Sequence, residues 1–122
     1  GDEISPDSSE VFAAVASKVT LSCRYYSAYN LQWYRHYPGS APQNLVLISE
    51  GLTETKISEV DSRFTTKLRK ENQAGKEIKR VDLLLSSAAV SDSAVYYCAL
   101  RNSGVNINKI LFGTGTKLII RT

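Results

Sequence analysis

Hydrophobic and polar residues alternate in short runs along most of the chain, with the period of strands that bury one face. In Val19-Thr-Leu-Ser-Cys23 the apolar set is Val19, Leu21 and Cys23. In the next run Leu31 and Trp33 share the inward parity, while Gln32, Tyr34 and His36 point away from the core. Pro38-Gly39 marks a turn, Leu45 to Ile48 is a further apolar strand, and Ser49 to Lys56, polar and containing Gly51, reads as a hairpin turn region. Phe64, Thr66 and Leu68 alternate inward, the chain turns around Gly75, and Val81, Leu83 and Leu85 alternate again. The closing run, Thr116 to Ile120, puts Leu118 and Ile120 on the inward side. Gly1 to Ser9 is polar, carries Pro6, and is predicted to fray or to form an edge strand. The pattern predicts an all-β sandwich of about nine antiparallel strands in two sheets, with no helical period.

A length of 122 residues suits one core and is too short for two ordinary domains. The formal charge of +3 is mild, and the basic run Lys67, Arg69, Lys70, Lys76, Lys79 and Arg80 is interrupted by Glu71, Glu77 and Asp82. Such a run reads as a solvated strand edge, and no nucleic-acid partner is expected. One histidine, no spare cysteine and no convergent pair of carboxylates leave no acid, base or nucleophile constellation to assemble, so an enzyme is not expected. Neither a CxxC nor a Cys/His cluster is present to hold a metal, and the glycines near the end of the chain fit no phosphate-binding or dinucleotide pattern, so no cofactor is expected. The chain has no cleavable signal and no apolar run near eighteen residues, which places any membrane anchor outside this fragment. No Asn-x-Ser/Thr sequon occurs.

Cys23, Trp33 ten positions later, and Cys98 at the end of Asp92-Ser-Ala-Val-Tyr-Tyr-Cys98 make the Cys, Trp, Cys frame of an immunoglobulin domain. Two cysteines so far apart suit an intradomain bridge and an oxidising compartment. Closing that loop stabilises the fold by about 4 to 5 kcal/mol on the chain-entropy model, as an upper figure. Tyr96 stands at the corner-tyrosine position, where its hydroxyl is expected to pin one turn together with Asp92. With Trp33-Tyr34-Arg35, Pro38-Gly39, Arg63-Phe64 and Phe112-Gly-Thr-Gly-Thr116 added, nearly the whole chain resembles the variable domain of an antigen receptor, most closely a T-cell receptor alpha chain. The delta chain draws on similar segments, and an antibody light chain is a weaker match. The resemblance divides the single domain into a V-like part over 1–100, a junction-like loop over 101–109 and a joining-like part over 110–122. Gly113 and Gly115 are expected to permit a bulge that bends the last strand, and Phe112 to present an aromatic to a neighbour.

The resemblance implies an extracellular part of a plasma-membrane receptor with three binding loops at one end of the sandwich. The first holds Tyr26, Ser27, Ala28, Tyr29 and Asn30, with Tyr29 as the best anchor candidate, and the second Ser49, Glu50, Gly51 and Leu52. The third holds Arg101, Asn102, Ser103, Gly104, Val105, Asn106, Ile107, Asn108 and Lys109, a mixture similar to that of paratope loops, although an ordinary polar hairpin loop has the same composition. The first two loops would lie over the helices of a histocompatibility molecule and the third over its bound peptide. A second surface, carrying Tyr34, His36, Tyr97 and Phe112 with Pro42 and Leu45 beside it, gathers large aromatics at outward positions and reads as an interface. For an alpha chain the partner is a beta chain. His36 stands where most relatives have glutamine, so that pairing tuned by protonation is an alternative to a neutral, satisfied histidine. The resemblance also implies a structural ion pair between Arg63 and Asp92. A different functional class stays open: a non-rearranging innate receptor with a built-in joining-like segment that binds a cell-surface protein.

Overall fold

The structure, a computed structural model, describes residues 3–102 and 109–122. Two sheets pack face to face. The first has the order β1 (Ile4–Pro6), β3 (Val19–Tyr25), β8 (Lys76–Leu85), β7 (Phe64–Gln73) and β6 (Lys56–Ile57). The second runs β2 (Glu10–Ala14), β11 (Thr116–Arg121), β9 (Ala94–Arg101), β4 (Asn30–His36) and β5 (Gln43–Ser49), with β10 (Ile110–Phe112) also on β9. The alternation places the inward residues as expected: Val19, Leu21, Cys23, Leu31, Trp33, Phe64, Val81, Leu83, Leu85, Leu118 and Ile120 are all buried. Cys23 and Cys98 form the inter-sheet disulfide.

Two expectations are corrected. Eleven strands are present among the described residues, because the first fourteen residues hold both β1 and β2, one for each sheet, and β6 and β10 are short additions. The sandwich is also not wholly antiparallel. β2 runs parallel to β11, with Val11 opposite Leu118 and Ala13 opposite Ile120, and nearly the whole chain serves as the crossover that a parallel pair requires.

One corner of the sandwich is held by side chains. The buried Tyr96 hydroxyl donates to the Asp92 carbonyl at 2.6 Å, and burial holds its proton well above the ordinary phenol range. The Asp92 carboxylate accepts both terminal nitrogens of Arg63, at 2.8 and 2.9 Å, and the Ala89 amide at 2.8 Å. The short 3₁₀ turn Val90–Asp92 is thereby fixed where the chain passes from β8 to β9. On the outer face of the first sheet, the buried Asp82 accepts Arg69 and the Ser22 hydroxyl. Arg80 bridges Asp7 and Glu71 there. Arg69 and Arg80 of the basic run are thereby held in a charge network across strands.

The last strand carries the expected bulge. Phe112 faces Ala99 and Thr116 faces Tyr96, so four steps on one strand match three on the other. The glycines are required by space, not by a special backbone angle, since neither has a positive φ. A Cβ at Gly115 would lie 2.5 Å from Val95 Cγ1 and 3.0 Å from Tyr97 Cε1, and one at Gly113 would lie 3.1 Å from Cys98 Sγ.

Candidate recognition surfaces

β4, β9 and β10 lay their outward residues side by side. Tyr34 is opposite Tyr97 in register, and its ring centroid lies 5.1 Å from that of Phe112. His36 lies 6.3 Å from the Tyr97 ring. Phe112 is 50% exposed, which is costly for so large an apolar group in an isolated domain and ordinary for one that meets a partner. Sequence reasoning missed a polar ladder beside these rings. The Tyr34 hydroxyl donates to Gln32 Oε1 at 2.7 Å, Asn44 Nδ2 donates to the same oxygen at 3.2 Å, and Gln32 Nε2 donates to Asn30 Oδ1 at 3.2 Å. Gln32 is buried by this ladder despite its outward parity. Pro42 is exposed just before β5.

Leu45 is not on this face. The pairing of β4 with β5 shifts register between Trp33 and Tyr34, so that Trp33 faces Val46 and Tyr34 faces Asn44. Leu45 is the extra residue at that bulge and turns into the core, leaving Asn44 and the partly exposed Leu47 as the outward residues of β5. The run Leu-Val-Leu-Ile is apolar at every position, so no alternation was available to reveal the shift.

At the loop end, Tyr26, Tyr29 and Leu52 are exposed at 62%, 55% and 45%, and Ser27, Ser49 and Gly51 are exposed with them. Ala28 and Asn30, expected among the contact residues, are buried: Ala28 belongs to the core cluster, and Asn30 begins β4 with its side chain committed to Gln32. Arg24 stacks over the Tyr26 ring at 5.4 Å. The loop bases are joined through Tyr29, whose N–H donates to the Arg101 carbonyl at 2.7 Å and whose carbonyl accepts the Glu50 N–H at 3.1 Å. Arg101 ends β9 and Asn102 follows it, both partly exposed, while Lys109 is exposed on the return. Ser103, Gly104, Val105, Asn106, Ile107 and Asn108 lie outside the described residues.

Comparison with known proteins places this geometry. The immunoglobulin V-set domain family matches residues 6–121. A mouse T-cell receptor alpha chain V region, CTL-F3, is 35% identical over 99% of this chain and 83% of its own length. The chain belongs to the immunoglobulin V-set family, with T-cell receptor alpha V regions. A rabbit alpha V region, RL-5, is 34% identical over 97% of the chain and 81% of its own length. A crystal structure of a chicken TCR superposes with a TM-score of 0.75 at 29% identity, covering 97% of this chain and 55% of that one. The chain also spans 38% of the human T cell receptor alpha chain MC.7.G5, to which it is 34% identical. It is therefore a T-cell receptor variable domain, of a receptor family that is not enzymatic. No described helix is long and apolar enough to cross a membrane.

Proposed function

We propose that this variable domain pairs with the variable domain of a beta chain and, through its loop end, reads peptide held by a histocompatibility molecule, as the extracellular part of a plasma-membrane receptor. The observation that carries the reading is the aromatic face: Tyr34 and Tyr97 stand opposite each other on β4 and β9, and the half-exposed Phe112 of β10 packs its ring against Tyr34. Aromatic side chains at the centre and a hydrogen-bonded polar group beside them are the composition of a protein interface. Tyr26 and Tyr29 supply rigid contact area at low entropic cost, which suits a binding loop.

Co-expression with a panel of beta variable domains, read by light scattering on a sizing column, tests the pairing. The wild-type domain is expected to form a one-to-one heterodimer with at least one partner. Tyr97→Arg and Phe112→Asp are expected to remain folded and to lose it. A domain that stays monomeric with every beta partner refutes the reading. The innate alternative is decided separately by germline DNA across codons 95 to 116, which is split between distant segments for a rearranging receptor and contiguous for an inherited one.

A further inference from the structure

The second loop leaves β5 at Ser49 and arches over a cleft of about 310 Å³ lined by Tyr25, Glu50, Leu52, Leu68 and Lys70. The loop thus borders a cleft that opens to solvent. Its backbone is held at the near end, where Glu50 N–H donates to Tyr29 and Leu52 N–H to the Ser49 carbonyl at 3.3 Å. Among the described residues, one side-chain hydrogen bond joins residues 50–55 to the rest of the domain. The buried Tyr25 hydroxyl, rooted in β3 of the opposite sheet, donates to Glu50 Oε2 at 2.6 Å. Tyr25 is otherwise a core residue, 2% exposed, so its ring is packed on all sides and its hydroxyl is a well-placed post.

We infer that Glu50 is a positioning residue and not a ligand contact: its bond to Tyr25 sets the second loop, and through Tyr29 it joins that loop to the first loop and to the root of the third as one preorganised unit. The chemistry fits the role. A carboxylate accepting a phenol proton in a partly buried site makes a stronger bond than a neutral pair. Burial of Tyr25, and then the hydrogen bond and charge of Glu50, all hold the phenol proton on. Presentation of Leu52, the exposed apolar residue of this loop, then depends on a hydroxyl in the other sheet. A loop ordered before it meets its ligand avoids the ordering cost on binding. That Leu52 meets ligand at all rests on the function proposed above.

The test is residue-resolved amide hydrogen exchange on the domain and on Tyr25→Phe, Glu50→Ala and Glu50→Gln. Tyr25→Phe keeps the buried ring and removes only the donor. The Glu50 and Leu52 amides are expected to exchange about ten- to a hundredfold faster in Tyr25→Phe and Glu50→Ala, the loss of one hydrogen bond to a charged group. Amides of Leu21 and Val81 in the core are expected to keep their wild-type rates. Glu50→Gln, which retains an acceptor oxygen, is expected to restore most of the protection. Unchanged exchange at Leu52 in Tyr25→Phe or Glu50→Ala overturns the inference, and so does equal acceleration across the core strands, which would make Tyr25 a stability residue only. The exchange rates read the tether whether or not a ligand binds, so the tether and the proposed function fail independently.

Discussion

The corner formed by Arg63 and Asp92 predicts an asymmetry between its two partners. The Asp92 side chain is 2% exposed and that of Arg63 35% exposed. Asp92→Asn leaves a shape match but offers one carbonyl oxygen to three donors, the two terminal nitrogens of Arg63 and the Ala89 amide. Arg63 is not stranded by this change, because it keeps the Asp61 carboxylate at 2.8 Å, the Ser87 carbonyl and solvent. The expected cost is about 2 kcal/mol, below the range for leaving an uncompensated buried charge. Arg63→Ala does leave one: the buried carboxylate retains only the Ala89 amide, and the expected cost is about 3 to 4 kcal/mol. In a domain of this size that is a fall of roughly 4 °C in melting temperature per kcal/mol. Urea unfolding at pH 7 with the disulfide intact, on wild type, both single variants and the double variant, gives all the terms. The double variant is expected to cost at least about 1 kcal/mol less than the sum of the singles. Additive singles, or an Asp92→Asn cost equal to that of Arg63→Ala, would refute the assignment of Asp92 as the buried member that depends on its partner.

Two further predictions follow from neighbouring geometry. The hydrogen bond from Arg63 holds the Asp61 carboxyl below its usual range, so the stability it adds is complete above about pH 4 and is lost as the pH falls through the lowered value. Between pH 5 and 2.5 the wild type should lose up to about 1 kcal/mol more than Asp61→Asn, since both groups are partly solvated; parallel urea curves at the two pH values check this. Gly115→Ala should cost about 1 to 3 kcal/mol, because its Cβ meets the branched Val95 at 2.5 Å. It should also weaken beta-chain pairing, because the Tyr97 ring is the other atom group displaced; a destabilised variant that pairs with unchanged affinity would separate Gly115 from the interface.

Strand positions were legible because a sheet with one buried face imposes a period of two, and Val19 to Cys23 or Val81 to Leu85 display it without interruption. The places where the reading failed lack that signal for identifiable reasons. The partner of β2 is more than a hundred residues away, and nothing in Glu10 to Ala14 encodes the direction of that pairing. Leu45 sits in an apolar run without parity, at the register shift opposite Trp33 and Tyr34. Gln32 has the right parity for exposure and is covered by bonds from Tyr34 and Asn44 that depend on side-chain reach. Ala28 lies in a loop that folds back over the core and Asn30 already begins β4, and a loop's composition does not say where the next strand starts or which residues are buried. Gly113 and Gly115 were noticed for the right bend and the wrong reason, since the constraint is contact with residues of β9.

β9 explains why these features are coupled. Tyr96 faces inward to the Asp92 corner, Tyr97 outward to the aromatic face, Cys98 inward to the disulfide, and Arg101 carries the carbonyl that holds Tyr29. Because successive residues of a strand alternate sides, fixing Tyr96 and Cys98 in the core also fixes the outward direction of Tyr97 between them. A one-residue slip of β9 would exchange all of these at once. The corner bond at one end, the disulfide in the middle and the close contact of Gly115 against Val95 and Tyr97 each oppose that slip. The aromatic face and the root of the three loops therefore inherit their geometry from contacts within the domain itself.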